Sequence, residues 1–238
     1  LAEEKDVSLY YVSDAGSLGQ PDLIILPGSK NTTGDLQWLR QSGVAAAIKE
    51  RYRNGTPLIG ICGGYQMLGT AIYDPLHTET DCDAIEGLGL LPVETTFAAA
   101  KATYQVTAQW QALPFLEATL TGPSLKGYEI HMGQTTVADR ELSQLTVTSR
   151  SGRPCALKAG TARKDGQAFG TYVHGLFDND QFRRDLLNAL RQHKGLPPLG
   201  ADLRYDDEKE RHYDRLARIV AAHLDLDKLD AIMREAHP

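Results

Sequence analysis

Short apolar runs alternate with stretches of helical spacing through the first part of the chain. Residues 7–12, 22–26 and 57–61 have the length and the apolar content of buried strands. Residues 35–53 repeat their apolar side chains every three or four positions, and residues 64–73 also show the pattern of a helix. This alternation predicts an α/β fold, with a central, mostly parallel sheet flanked by helices.

The pattern changes after Leu88, where shorter strands separated by turns replace the strand–helix alternation. The strands expected in this part are residues 88–93, 104–109, 126–131, 145–149 and 168–174. Short strands joined by turns predict an antiparallel extension of the sheet.

The last part of the chain is predicted to be helical. Three helices are expected, at residues 180–193, 206–223 and 227–235. Residues 195–200, with two prolines between flanking glycines, have the composition of a linker. We therefore expect one domain over residues 1–195 and a charged helical tail over residues 196–238.

Composition argues against several classes of function. Of the 238 residues, 42% are hydrophobic and 24% charged, with a net charge of −6 and no basic stripe, so no nucleic-acid partner is expected. No apolar run approaches the roughly 20 residues of a membrane-spanning helix. Three cysteines without a CxxC spacing favour a reducing cytoplasm over a disulfide framework or a zinc site. The start lacks an initiator Met and a signal peptide, so we expect a piece of a longer chain.

The segment around Cys62 carries the most chemical information. An apolar strand leads into Gly60-Ile-Cys62-Gly-Gly64, and an apolar helix follows, which is the spacing of a nucleophile elbow with Cys in place of Ser. A nucleophile on so sharp a turn needs close neighbours without side chains. The turn also places the thiol at a helix N-terminus, where N–H groups and the helix dipole favour thiolate and an oxyanion. The alternative is a tight glycine turn around a buried cysteine.

Five segments, in this order along the chain, extend the motif. They are Leu26-Pro-Gly-Ser-Lys-Asn-Thr32, Gly60-Ile-Cys-Gly-Gly-Tyr-Gln-Met-Leu-Gly69, Gly87-Leu-Gly-Leu-Leu-Pro-Val-Glu-Thr95, Lys126-Gly-Tyr-Glu-Ile-His-Met-Gly133 and Gly170-Thr-Tyr-Val-His-Gly-Leu-Phe-Asp178. Together they resemble class I, or triad-type, glutamine amidotransferases, and most specifically the C-terminal glutaminase domains of the cobyric acid synthase family. The resemblance implies the flavodoxin-like fold of class I amidotransferases.

The catalytic residues that the resemblance implies are Cys62 and His174. Cys62 would be the nucleophile, and His174 would take its proton and later protonate ammonia. Many amidotransferases carry Glu two residues after this His, where this chain has Leu176. The group that orients the imidazole is therefore left open between Glu129, Asp178 and a backbone carbonyl.

Five further residues are candidates for binding the substrate. The resemblance implies that Gln66 helps to position glutamine. The backbone N–H groups of Gly28 and Gly63 could hold an oxyanion, although Gly28 could equally belong to a plain turn. The Glu129 carboxylate suits the α-ammonium group of glutamine, or faces solvent. His131, on the same strand face, could line the same pocket or only cap the strand.

No cofactor or metal site is readable in this chain. Lys30 lies in a Gly-Ser-Lys-Asn-Thr loop, but the GxxxxGK[ST] pattern of a phosphate-binding loop is absent. The resemblance implies an N-terminal synthetase domain, outside this chain, which uses ATP and Mg²⁺ to amidate the b, d, e and g carboxylates of adenosylcobyrinic acid a,c-diamide, a corrinoid, in cobalamin biosynthesis. The alternatives are the glutaminase domain of cobyrinic acid a,c-diamide synthase, and a cysteine hydrolase with the same elbow.

Overall fold

A computed structural model describes residues 1–137 and 143–235. The helices in this part are α1 (Thr32–Gln41), α2 (Val44–Arg53), α3 (Gly63–Leu68), α4 (Asp180–His193), α5 (Tyr205–His223) and α6 (Leu226–Glu235). The strands are β1 (Ile24–Leu26), β2 (Leu58–Ile61), β3 (Ala71–Tyr73), β4 (Ala84–Glu86), β5 (Val93–Phe115), β6 (Ala118–Val137), β7 (Ser143–Arg150), β8 (Arg153–Ala162) and β9 (Ala168–Thr171). Contacts divide the chain into two compact units: Leu1–Gly200 carries the sheet, and the residues from Ala201 onward carry α5 and α6.

The described strands form one mixed sheet in the order β1-β2-β9-β8-β7-β5-β3-β4, with β6 paired to β5. Strands β1, β2 and β9 run parallel to one another, and β3 runs parallel to β5. The remaining ladders are antiparallel. The predicted α/β fold with an antiparallel extension is confirmed. Among the described strands three ladders are parallel and five antiparallel, so the extension is larger than expected.

The helix expected at residues 35–53 is two helices, α1 and α2. Gly43 separates them with a φ of 78°, in the left-handed region that a continuing right-handed helix cannot contain. The apolar spacing runs through the break because both helices bury one face, with Leu36 in α1 and Ile48 in α2. Periodicity therefore found the helical segment but not the turn within it.

The strand expected at residues 7–12 is wrong, because that segment joins no ladder in the described sheet. Tyr11 is 92% exposed, while Val7 and Val12 pack partly against the core. The N-terminal segment is anchored by charge instead: the nearly buried Arg184 in α4 binds Asp6 at 2.9 Å and Glu4 at 2.5 Å. Apolar character at these positions reflects packing, not pairing with the free edge of β1.

The helix expected at residues 64–73 ends at Leu68, and the next residues form β3. Residues 88–92, expected to begin a strand, instead close the end of α3 with their backbone. The N–H groups of Leu88 and Leu90 donate to the carbonyls of Met67 and Leu68 at 2.8 and 2.9 Å. These are the carbonyls that a helix leaves unpaired at its end, so the apolar run at 88–92 serves as a cap and β5 begins at Val93.

The other predicted elements are confirmed, although two strands are much longer than expected. The short strands expected at 104–109 and 126–131 are the middle parts of β5 and β6, which have 23 and 20 residues. The two form an antiparallel hairpin with register shifts, as at Phe97/Ala102. Strands β3, β4 and β8 were not predicted. The long hairpin matters for function because it carries Glu129 and His131 beside the elbow.

Candidate active site

Cys62 lies between the end of β2 and the start of α3, in the geometry that the motif predicts. Its φ of 52° and ψ of −108° are strained for a residue with a side chain. The glycines provide the clearance: a Cβ on Gly60 would lie 2.7 Å from the Cα of Tyr65, and a Cβ on Gly64 would lie 2.0 Å from the carbonyl oxygen of Leu26. The elbow can therefore exist only with glycine at both positions.

The thiol of Cys62 is neutral at rest. The residue is only 7% exposed, and its Sγ lies 3.4 Å from the carbonyl oxygen of Ile130 in β6. Burial raises the pKa of Cys62 to about 11, although the N–H of Gly63 at the start of α3 acts in the opposite direction. The helix N-terminus thus favours thiolate as expected, but desolvation outweighs it. The Cys62 thiol therefore needs a base to become a nucleophile.

His174 is brought to the elbow by a backbone bridge between the chain after β9 and strand β6. Its N–H donates to the carbonyl of Tyr128 at 2.8 Å, and the Tyr128 N–H donates back at 3.2 Å. A Cβ on Gly28 would lie 3.6 Å from the Cβ of Cys62 and 3.0 Å from the Cε1 of His174. The side chains of Cys62 and His174 therefore both border Gly28, so the structure brings these three predicted residues together.

The imidazole of His174 has the electrostatics of a neutral base. Burial lowers the pKa of His174, and the nearby His131 lowers it further. Its Nε2 is buried and has no hydrogen-bond partner among the described residues. Leu176, at the usual position of the orienting Glu, is buried. None of the groups suggested from the sequence, Glu129, Asp178 or a backbone carbonyl, hydrogen-bonds to that nitrogen.

Gln66 is buried beneath the elbow, and both ends of its amide are engaged. Its Oε1 accepts from the hydroxyl of Thr32 at 3.0 Å, and its Nε2 donates to the hydroxyl of Tyr172 at 3.3 Å. These bonds join α3 to the start of α1 and to the chain after β9. In this arrangement Gln66 supports the walls of the site, and a direct contact with substrate requires one of these bonds to be exchanged.

Glu129 and His131 share a face of β6, as the alternation predicted. Glu129 is fully buried, and its Oε2 accepts from the Nε and Nη2 of Arg150 at 2.9 and 2.8 Å. Its Oε1 lies 3.9 Å from the Nε2 of His131, and neither atom has a hydrogen-bond partner among the described residues. Burial acts to raise the pKa of Glu129, but His131 and Arg150 outweigh it and hold the pKa below its usual value. A buried carboxylate with one free oxygen can accept a cationic group.

The loop before α1 packs directly on the elbow. The Gly64 N–H donates to the carbonyl of Pro27 at 3.0 Å, and a Cβ on Gly63 would lie 3.0 Å from the backbone nitrogen of Ser29. The N–H groups of Gly28 and Gly63 make no backbone hydrogen bond within the described residues. The Gly63 N–H interacts with the Cys62 sulfur, so an oxyanion held by it would have to displace that interaction.

A second loop supports this one through Glu79. The Oε2 of Glu79 accepts from the backbone N–H groups of Thr32 and Thr33 at 2.8 and 3.4 Å. The fully buried Asp74 holds the turn that carries Glu79, accepting from the N–H groups of Thr78 and Glu79 at 2.8 Å. Burial raises the pKa of Glu79. The carboxylate thus holds the start of α1, and with it the loop that carries Gly28.

Several residues of the site were not identified from the sequence. They are Thr32, Glu79, Tyr128, Arg150 and Tyr172. Thr32, Tyr128 and Tyr172 lie inside the recognised segments, so their position was a usable signal. Arg150 lies in a strand that carries no motif, and it reaches Glu129 across β5.

Cys62 lines neither of two cavities found on the described part of the first unit. The larger, about 490 Å³, lies between β6 and α4 and includes Asn188 and Leu196. The smaller, about 160 Å³, borders Tyr128 and His174. Within residues 1–137 and 143–235 no group of three His, Cys, Asp or Glu side chains could hold a metal ion. No helix in the same ranges is long and apolar enough to cross a bilayer.

Two solved structures superpose on this chain with TM-scores above 0.5. A structure described as a glutamine amidotransferase superposes with a TM-score of 0.53 at 17% identity, covering 75% of this chain and 84% of that one. A chain of the Thermotoga maritima PurLQS structure gives a TM-score of 0.51 at 18% identity, with coverage of 74% and 82%. At these identities the likeness shows the fold alone.

Sequence relatives are much closer. The chain is 50% identical to cobyric acid synthase of Moorella thermoacetica over all of its length and 46% of that protein, and 48% identical to that of Klebsiella pneumoniae subsp. pneumoniae over 99% and 46%. It therefore spans about half the length of these curated relatives. The family model for the CobB/CobQ-like glutamine amidotransferase domain matches residues 1–182. With the elbow, the neighbouring imidazole and the fold in agreement, the chain belongs to the family of CobB/CobQ-like glutamine amidotransferase domains.

Proposed function

We propose that this chain hydrolyses glutamine, with Cys62 as the nucleophile and His174 as its base. The observation that carries the proposal is that three groups meet at Gly28. They are Cys62 with its strained backbone, the unprotonated imidazole of His174 and the glycine loop itself. A buried thiol with a pKa of about 11 is inert without a base. His174, which borders Gly28 together with Cys62, is a base whose pKa is lowered.

In the proposed reaction the imidazole of His174 takes the proton from Sγ, and the thiolate attacks the side-chain carbonyl carbon of glutamine. The N–H groups of Gly28 and Gly63 hold the negative oxygen of the tetrahedral intermediate. The intermediate collapses to a thioester as the C–N bond breaks, and the imidazolium returns its proton to the leaving ammonia. Water then attacks the thioester, with His174 again as base, and releases glutamate and the free thiol.

The amino end of glutamine is proposed to bind at Glu129. Its Oε1 is buried and has no hydrogen-bond partner by distance among the described residues, and His131 and Arg150 together keep the pKa of the carboxyl group low. A substrate α-ammonium group would complete the pairing of that oxygen. His131, 3.9 Å away, would border the same pocket. Gln66 would shape the pocket floor through Thr32 and Tyr172.

For the whole protein we propose cobyric acid synthase activity. Support comes from the relatives of that name, whose length is about twice that of this chain. The ammonia would pass to an ATP- and Mg²⁺-dependent synthetase domain, which amidates the b, d, e and g carboxylates of adenosylcobyrinic acid a,c-diamide. The chain itself would need no cofactor and would work in the cytoplasm, without nucleic acid or membrane.

The test is covalent labelling with 6-diazo-5-oxo-norleucine, an electrophilic analogue of glutamine, followed by peptide mass spectrometry. We expect an adduct on Cys62 that excess glutamine prevents and that His174→Ala abolishes. Cys82 is exposed and serves as the internal control, because it should react with a general alkylator but not with the analogue.

Labelling of Cys62 that glutamine does not prevent would contradict the glutamine pocket and would favour a different cysteine hydrolase. Labelling that survives His174→Ala would contradict the role of His174. Glutamate release from glutamine, measured on the same samples, connects the adduct to turnover.

A further inference from the structure

The ring of Tyr128 lies flat on the imidazole of His174. The two ring centroids are 4.9 Å apart and the planes differ by only 6°. The same two residues exchange both backbone hydrogen bonds of the bridge between β6 and the chain after β9. Tyr128 therefore contacts His174 through its backbone and through its side chain.

The imidazole needs such a support because it has space beside it and no hydrogen bond at its buried nitrogen. The cavity of about 160 Å³ that borders His174 is lined by Asp178 and by apolar groups such as Ile61, Leu176 and Phe177. The apolar side chains cannot hydrogen-bond to Nε2, and within the described residues Asp178 does not. Without a flat contact on its face, the ring could tilt into this space and away from Cys62.

The other titratable groups around His174 are placed differently. His131, on β6, stacks on Tyr172 instead, with centroids 3.8 Å apart. Asp178 follows His174 in the chain, and its Oδ2 lies 3.3 Å from the point where a Cβ of Gly175 would be. Cys62 faces the ring from the elbow. Of the rings in the described part of the chain, that of Tyr128 is the one stacked on His174.

We propose that Tyr128 is the positioning residue of His174 and takes over the task that a carboxylate performs in other triad-type enzymes. Its π face holds the plane of the imidazole toward Cys62, and it stabilises the imidazolium that forms when His174 takes the thiol proton, because a cation is attracted to the face of an aromatic ring. The proposal rests on the proposed catalytic pair of Cys62 and His174.

The test compares Tyr128→Phe with Tyr128→Leu in the 238-residue chain. Both side chains keep an apolar cover over His174, but only Phe keeps the π face. We expect glutamate release by the Phe variant to stay within about twofold of wild type and kcat of the Leu variant to fall about tenfold, which corresponds to about 1.4 kcal/mol in the activation barrier. Circular dichroism checks the fold, and Tyr128→Met replaces the Leu variant if that variant does not fold.

A second measurement does not depend on turnover. The Cε1–H signal of His174, identified by its loss in His174→Gln, is titrated by NMR in protein with ¹³C-labelled histidine. We expect a lower pKa of His174 in Tyr128→Leu than in Tyr128→Phe, because the charged imidazole loses the ring face in the Leu variant only. The same pKa and the same kcat in both variants would overturn the positioning role. A wild-type chain that releases no glutamate would instead count against the proposed function, and the NMR titration would still decide the role of Tyr128.

Discussion

The ion pair of Arg150 with Glu129 gives the most direct test of how the site is held. The two residues lie on β7 and β6, and β5 lies between them. Arg150 crosses over the ring of Tyr104, with its Cζ 4.8 Å from the ring centroid, and reaches Oε2 of Glu129 with two nitrogens. Arg150→Ala would leave a fully buried carboxylate with only His131 beside it.

The expected cost can be worked out from burial. Breaking a fully buried ion pair costs about 3–5 kcal/mol, but the Arg150 side chain is 25% exposed, so water weakens the pair and we expect about 2–3 kcal/mol. Glu129→Gln should be less costly, because a neutral amide is easier to bury than an unpaired charge. In the Glu129→Gln background, Arg150→Ala should then cost less than about 1 kcal/mol.

The cost of Arg150→Ala should also depend on pH in a defined direction. In wild type the pKa of Glu129 is lowered, so the carboxylate contributes stability above its unfolded pKa of about 4.3 and loses it as the pH falls through the folded pKa. Without Arg150, burial should raise that pKa above the unfolded value, so the carboxylate becomes destabilising at neutral pH. The difference in unfolding free energy between wild type and Arg150→Ala should therefore become smaller from pH 7 toward pH 4.

Urea unfolding of wild type, both single variants and the double variant at pH 7 and pH 4 measures these differences. Arg153→Ala is the matched control, because Arg153 lies in the same hairpin and is exposed. A cost for Arg150→Ala that is the same at both pH values and in both backgrounds would refute the ion pair as its source. The loss would then come from packing of the Arg150 side chain over Tyr104.

Two further results are expected. Alkylation of Cys62 by iodoacetamide at pH 8, without glutamine, should be much slower than alkylation of the exposed Cys82, because a pKa of about 11 leaves roughly one thiolate in a thousand at that pH. Peptide mass spectrometry measures both rates, and equal rates would contradict the burial of the Cys62 thiol. Glu79→Gln should stabilise the protein at pH 7 but not at pH 4. Because the pKa of Glu79 is raised in the folded protein, its contribution to stability is present below the unfolded pKa and is lost as the pH rises and the buried carboxyl group ionises, whereas Gln stays neutral. Urea unfolding checks this, with the exposed Glu86→Gln as control, and a lower stability of Glu79→Gln at pH 7 would show that the hydrogen bonds to Thr32 and Thr33 need the charge.

Prediction from the sequence succeeded where neighbouring residues decide the structure. The strand, the glycine spacing and the helix around Cys62 are adjacent in the chain, and the clearances at Gly60 and Gly64 follow from the turn itself. The helix at residues 180–193 was predicted with the bounds that the structure shows, because its apolar side chains recur on one face and that face is buried. Residues 7–12 show the limit of such prediction, since an apolar run does not say whether the segment pairs with a strand or only packs against the core.

The contacts of Glu129 and His174 could not be predicted in the same way. Arg150 and Glu129 are far apart in the chain, and they meet because both flank β5 in a register that includes shifts. The Tyr128 ring faces His174 because one isolated bridge joins β6 to the chain after β9. No local pattern records such a register.

The sequence by itself determined the elbow, because a nucleophile on so sharp a turn needs glycine neighbours. The family, and with it the proposed pair of Cys62 and His174, came from the resemblance of five segments in order along the chain. The tertiary structure decided the state of these groups. Burial makes Cys62 a neutral thiol although a helix N-terminus favours thiolate, and His131 and Arg150 keep Glu129 charged although it is buried. Desolvation and long-range pairing depend on what surrounds a group in three dimensions, so the pKa of each group belongs to the fold and not to the motif.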